Sequence, residues 1–254
     1  MQTASKIYYN RLGQGKPLFL IHGLGERKEG WKWQYPLAAD YDLIMPDLRG
    51  HGESIDVKSI NLVTFAEDIL SLMNELQIKR ASFCGVSMGG LVVQEIYRQS
   101  PERCEGIILA NTFHYTPYWA RRVVRNTRNY RRLGFPSQYV LNWFARCNLY
   151  KFGNQELLER LEFDYQPRVE TLLACMDTCG IVDNRSLLEN LEHPTLIIGA
   201  SNDVVTPLWF QLQMHSLVRR SKLSIIKRAG HFARLERPNV FNRIVDEFLK
   251  TLSK

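Results

Sequence analysis

Gly85-Val86-Ser87-Met88-Gly89 lies between an apolar run ending in Phe83-Cys84 and a stretch of helical patterning over residues 90–99. Where a strand turns sharply into a helix, the central residue is held in a strained backbone, and side chains two positions to either side would collide. Glycine at 85 and 89 removes that collision. Ser87 then stands at a strand end with the positive end of a helix directed at it, and the amide of Met88 is placed to donate to an anion developing there. The bare pattern also describes a glycine-rich turn; the strand before it and the helix after it favour an exposed nucleophile.

Outward from this stretch, short apolar runs alternate with longer segments of helical period, as expected when parallel strands are joined by crossover helices. Strands are expected at residues 6–10, 18–22, 42–46, 81–86, 106–110, 195–199 and 222–227. The pattern predicts an α/β fold, a doubly wound and mostly parallel sheet. Phe65, Ile69, Leu72, Met73 and Leu76 form the apolar stripe of one crossover helix, and Pro238 starts a final helix. Residues 112–192 break the alternation: they carry aromatic and charged residues in helical patterns, divided by Pro117, Gly134, Pro136, Gly153 and Pro167. We expect residues 1–111 and 193–254 to form one core domain and residues 112–192 a helical lid inserted into it.

Composition agrees with a globular chain. Of 254 residues, 45% are hydrophobic and 23% charged, which excludes disordered and fibrous classes. Five cysteines at irregular spacing do not form a disulfide framework, and no histidine completes a zinc site around Cys175 and Cys179. No apolar run is long enough to span a bilayer. A soluble, cytoplasmic protein without a membrane partner is the expectation. The net charge of +7 is concentrated in residues 114–180, which hold ten Lys and Arg against six Asp and Glu. Arg121, Arg125, Arg128 and Arg132 fall within about 60° on a helix, opposite Trp119, Val123 and Tyr130, so an inward aromatic stripe leaves them facing water. An anion-binding role for substrate and a surface contact are the alternatives. No nucleic-acid motif accompanies them, and no nucleic-acid partner is expected.

The chain resembles the α/β-hydrolase family, and the resemblance runs through five landmarks in order. His22-Gly23-Leu24-Gly25 looks like the family's HGxG oxyanion loop, which implies the amide of Leu24 as a second oxyanion donor and a structural role for His22. Asp47-Leu48-Arg49-Gly50-His51-Gly52-Glu53-Ser54 matches the DxRGxGxS turn and reads as scaffold, with Asp47 and Arg49 satisfying loop backbone and one another. The serine turn is the third. Asp203, after the apolar run of 195–199, resembles the acid loop; its competitor, Asp183, is not at a strand end. Some members place the acid one strand earlier, but Ala110-Asn111-Thr112 supplies no carboxylate. His231 in Ala229-Gly230-His231-Phe232, followed by Glu236 and Pro238, matches the GHxxxxExP ending. By the family's strand count the lid follows the sixth strand.

A serine hydroxyl needs a base within hydrogen-bond reach and an acid to orient that base. Ser87, His231 and Asp203 supply all three, in the chain order that the resemblance implies and unlike the chymotrypsin or subtilisin orders. The expected function is serine hydrolysis of a small-molecule carboxylic ester or lactone without metal or organic cofactor. Lid aromatics Phe113, Tyr115, Tyr118, Trp119, Trp143 and Phe144 either line an apolar pocket or, as favoured for most of them, pack the lid itself. Two alternatives stand: a ligand receptor that retains the triad, and a carbon-carbon bond hydrolase or lyase of the same fold. Gly25-Glu26-Arg27-Lys28 lacks the Gly-Pro-Gly usual in the carbon-bond hydrolases. Oligomeric state is not legible.

Overall fold

A computed structural model describes residues 7–56, 58–119, 121–122, 149–150, 156–157, 159 and 169–252. Seven strands, β1 (Tyr9–Leu12), β2 (Lys16–Ile21), β3 (Tyr41–Pro46), β4 (Ala81–Val86), β5 (Cys104–Ala110), β6 (Thr195–Ala200) and β7 (Ser221–Ile226), form one sheet in the order β1-β3-β2-β4-β5-β6-β7. β1 is antiparallel to β3 and every other pairing is parallel. Every residue of β3, β4 and β6 is buried, as required of strands covered on both faces. That is why they read as continuous apolar runs rather than as an alternation.

The pleat divides each strand between two cores. Phe19, Ile21, Ile44 and Phe83 pack on one side with helices α1 (Leu62–Glu75) and α2 (Met88–Gln99). Leu18, Leu20, Leu43 and Cys84 pack on the other with Trp31 and with Phe241, Val245 and Phe248 of α7 (Pro238–Thr251). The other described helices are α3 (Val169–Cys179), α4 (Arg185–Glu189), α5 (Leu208–Leu217) and α6 (Ala233–Glu236). Along α1 the expected stripe is inside, with Phe65, Ile69, Leu72 and Met73 fully buried. Its first turn is closed by a capping box, in which Asn61 Oδ1 accepts the Thr64 N–H at 3.0 Å and Thr64 Oγ1 accepts the Asn61 N–H at 3.3 Å.

Three expectations shift. The first strand lies at Tyr9–Leu12 rather than 6–10, because an edge strand needs an apolar face on one side only and Arg11 instead pairs with Asp42 across β3, Nη2 to Oδ2 at 2.8 Å. The connection from β2 to β3 is a 3₁₀ segment, Lys28–Ala39, where a helix was expected; Pro36 within it cannot donate an α-helical hydrogen bond. The segment expected as an insertion leaves the sheet after β5, the fifth strand in chain order and not a sixth, since four strands precede β5 among the described residues. Within it, α3 is tied to the core: Thr171 Oγ1 donates to Gly50 O at 3.0 Å, and Thr178 Oγ1 accepts the Leu62 N–H at 3.3 Å.

β2 and β4 are neighbours, yet from β2 the chain proceeds to β3 on one side and from β4 to β5 on the other. This reversal is a topological switch point, where the carboxyl ends of adjacent strands leave a crevice. The loops that begin at His22 and Ser87 both open there. Among the described residues no helix is long and apolar enough to cross a membrane.

Ile69→Ala removes a fully buried side chain between α1 and the sheet and should cost about 2–5 kcal/mol. Val63→Ala on the exposed face of the same helix should stay within about 0.5 kcal/mol. Urea denaturation of the two variants, read against the parent chain, checks the assignment of the buried face.

Candidate active site

Ser87 adopts φ 52° and ψ −122°, a conformation that L side chains rarely take, at the junction of β4 and α2. The flanking glycines are required sterically: a β-carbon at Gly85 would lie 2.2 Å from Gly89 O, and one at Gly89 would lie 2.2 Å from Ile21 O. The turn is held from beneath by Thr112, whose Oγ1 donates to Ser87 O at 2.6 Å. α2 therefore starts at Met88 with its free N–H groups directed at the crevice.

The structure brings the three residues expected from the sequence together. His231 Nε2 lies 3.0 Å from Ser87 Oγ, and His231 Nδ1 lies 2.9 Å from Asp203 Oδ2 and 3.1 Å from Oδ1. They come from the ends of β4, β6 and β7, far apart in sequence. Asp183 is elsewhere, paired with Arg185 at the surface, Nη2 to Oδ2 at 2.6 Å.

Asp203 is 5% exposed, and four further donors satisfy its carboxylate. Oδ1 accepts the N–H groups of Val205 at 2.9 Å and Thr206 at 2.8 Å; Oδ2 accepts Thr206 Oγ1 at 2.7 Å and Asn111 Nδ2 at 2.9 Å. Burial works against the charge, but the neighbouring His231 and the donors from Thr206 and Asn111 outweigh it and bring the carboxyl down to about 2. Burial likewise disfavours a protonated His231, and the Asp203 carboxylate more than offsets this, so the ring's pKa is raised above its ordinary 6.5. With an anionic acceptor at Nδ1, the neutral ring carries its proton there and presents the Nε2 lone pair to Ser87.

His22 has a structural place. Its Nδ1 donates to Gly23 O at 2.8 Å and its Nε2 accepts the Leu48 N–H at 3.0 Å, while burial lowers its pKa and keeps it neutral. The 47–54 turn is also scaffold, but not through the expected pairing of Asp47 with Arg49. Asp47 points inward and accepts from Lys28 N at 2.7 Å, Lys28 Nζ at 2.8 Å and Glu53 N at 2.9 Å. Arg49 points outward to α1 and grips Asp68, Nε to Oδ2 at 2.9 Å and Nη2 to Oδ1 at 2.7 Å. A buried carboxylate takes the nearest cation that can enter the fold with it.

Sequence reasoning missed Asn111, Thr206, Glu26 and Arg234. Asn111 sits at φ 43°, at the position where the resemblance allows an alternative acid; its amide donates to Asp203, and its carbonyl accepts the Ser87 N–H at 3.1 Å. The Asp-x-x-Thr spacing of 203 and 206 is the usable signal for the other donor, since such spacings form local side-chain to backbone bonds.

A cavity of about 360 Å³ opens over Ser87 and His231. Gly23, Leu24 and Met88 line it together with Phe113, Tyr115 and Trp119, and with Trp209 and Phe210 of α5. Phe113 and Tyr115 pack against Phe210, with ring centroids 5.8 and 5.7 Å away. Of the other lid aromatics, Tyr118 and Trp119 are 77% and 68% exposed. Arg121, expected to face water, is half-buried and its Nε donates to Thr116 O at 2.9 Å. Arg125, Arg128, Arg131, Arg132, Trp143 and Phe144 lie outside the described residues.

The model of the alpha/beta hydrolase fold family matches residues 16–238. The chain belongs to that family. This α/β-hydrolase is similar to 3-oxoadipate enol-lactonase 2 of Acinetobacter baylyi, at 29% identity over 95% of this chain and 92% of the relative. Among solved structures it resembles a thermophilic esterase from Thermogutta terrifontis, with TM-score 0.89 and 25% identity over 98% of this chain and 94% of the other. It also resembles a hydrolase from Pseudomonas aeruginosa, with TM-score 0.88 and 24% identity over 98% and 97%, a likeness of fold.

An NMR titration of the His231 ring should give a pKa above 6.5, and Asp203→Asn should lower it below that value, because burial then acts without a compensating charge. A His231 pKa that Asp203→Asn leaves in place contradicts the electrostatic assignment.

Proposed function

We propose that this chain is a serine hydrolase that cleaves a carboxylic ester or lactone through an acyl-enzyme on Ser87. The observation that carries the proposal is the unbroken chain of contacts from Ser87 Oγ through His231 to Asp203, 3.0 and 2.9 Å, at the floor of a cavity with an aromatic wall. Similarity to an enol-lactonase and to an esterase supports the same bond type.

In this reading Ser87 Oγ attacks the carbonyl carbon as His231 Nε2 takes its proton. The resulting oxyanion is stabilised by the amides of Leu24 and Met88 and by the start of α2. Asp203 stays ionised and stabilises the imidazolium. Collapse expels the alkoxide, which receives the proton from Nε2. A water, deprotonated by His231 in turn, attacks the acyl-enzyme, and the second tetrahedral species releases the carboxylic acid and restores Ser87. A lactone gives one ring-opened product and an ester gives two.

The apolar cavity wall suits an uncharged acyl or alcohol group beside the reacting carbonyl. Residues 112–192 act as the lid over a core of residues 1–111 and 193–254; that Phe113, Tyr115, Trp119 and Met176 line the cavity supports this division. The four described cysteines are free thiols, which fits a reduced cytoplasmic setting.

A short p-nitrophenyl ester should be turned over repeatedly, and Ser87→Ala should reduce the rate by roughly six orders of magnitude at unchanged fold. Saturable binding of ester and lactone probes with no turnover by the parent chain would instead mark a ligand receptor.

A further inference from the structure

The loop that carries Leu24 and the loop that carries His231 leave the sheet from β2 and β7, strands separated by three others. Catalysis as proposed needs them in register to a fraction of an ångström. Two charged side chains bridge them. Glu26, four positions after His22, is 6% exposed, and Arg234, three positions after His231, is 2% exposed. Arg234 Nη2 donates to Glu26 Oε1 and Arg234 Nη1 to Gly30 O, while its guanidinium lies 4.6 Å from the Trp31 ring centroid. Gln34 Nε2 holds the Arg234 carbonyl at 3.1 Å.

The other oxygen of Glu26 faces the oxyanion loop, where Oε2 accepts the Gly23 N–H at 2.8 Å. A β-carbon at Gly23 would lie 3.2 Å from the Ser87 Cβ, and Gly23 immediately precedes Leu24. A rigid path therefore runs from the His231 loop through Arg234 and Glu26 to the residue before the second oxyanion donor. A buried ion pair adds little net stability compared with apolar side chains of the same volume. A pair that borders the reaction cavity and joins two of its working loops is explained better by position than by stability.

We propose that Glu26 and Arg234 form a positioning strut that sets the oxyanion loop against the loop of His231 and balances the charge around that histidine. The proposal rests on the hydrolase reading above. The charged groups acting on His231 are Asp203 and Glu26, which favour its protonated form, and Arg234, which opposes it. Ser87 faces its Nε2, and Glu236 of α6 is engaged by the Gly230 N–H at 2.7 Å. Glu26 and Arg234 thus act on the base with opposite sign.

The test compares Glu26→Gln, Arg234→Met and the double variant in the full chain, with active sites counted by a fluorophosphonate so that misfolded protein is not read as slow enzyme. Removing the carboxylate should move the acidic limb of the kcat/KM profile to lower pH, and removing the guanidinium should move it to higher pH, each by about 0.5–1 pH unit. The double variant should place the limb between those of the two single variants yet keep kcat per titrated site about 10- to 100-fold low, with KM little changed. Limbs that coincide in all variants, or a per-site kcat equal to that of the parent, overturn the proposal. Should Arg234→Met fail to fold, Glu26→Gln carries the test alone: an unmoved limb overturns it, and a shift to lower pH supports it. A parent chain inert toward esters and fluorophosphonate would sink the hydrolase reading instead. The His231 NMR titration in the same variants would then still decide the strut, opposite shifts supporting it and coincident curves overturning it.

Discussion

The contact on which the site depends is that of the buried Asp203 carboxylate with His231 Nδ1, at 2.9 Å. A carboxylate that is 5% exposed is costly unless its oxygens are satisfied. The fold meets that cost with donors from two elements: Val205 and Thr206 in its own loop, and Asn111 at the end of β5. The anion so held fixes the tautomer of the imidazole and keeps its far nitrogen facing Ser87. Parallel pairing of β4, β5, β6 and β7 in sheet order is what places Asn111, Asp203 and His231 at the same edge as the serine.

Much of this is legible in the sequence. Strands buried on both faces must be apolar along their whole length, so residues 81–86 and 195–199 stand out as short runs. The strained turn at Ser87 demands glycine on both sides, and the resemblance to the family's acid loop and GHxxxxExP ending is what singles out Asp203 and His231. Where the periodicity was weak, so was the reading. β1 is a polar edge strand and moved by several residues. In Lys28–Ala39 the buried Lys28, Trp31, Gln34 and Leu37 recur every third residue, the period of the 3₁₀ path that the segment takes around Pro36.

Side-chain pairing was the part the sequence could not supply. Asp47 and Arg49 are close in sequence and opposite in charge, yet each takes another partner, because one side chain points into the loop and the other onto α1. Glu26 and Arg234 are 208 positions apart, so nothing local marks them as a pair. Asn111 reads in the sequence as a strand end without a carboxylate, and in the structure it donates to the Asp203 carboxylate at the end of the next strand.

The tautomer of His231 tests the central claim most directly. In ¹H–¹⁵N NMR of the resting protein above the ring's pKa, the account predicts a proton on Nδ1, strongly deshielded and slow to exchange, with Nε2 unprotonated. A ring protonated on Nε2, or an Nδ1 proton that exchanges as freely as one in water, would mean that Asp203 does not hold His231 against Ser87 and would contradict the account.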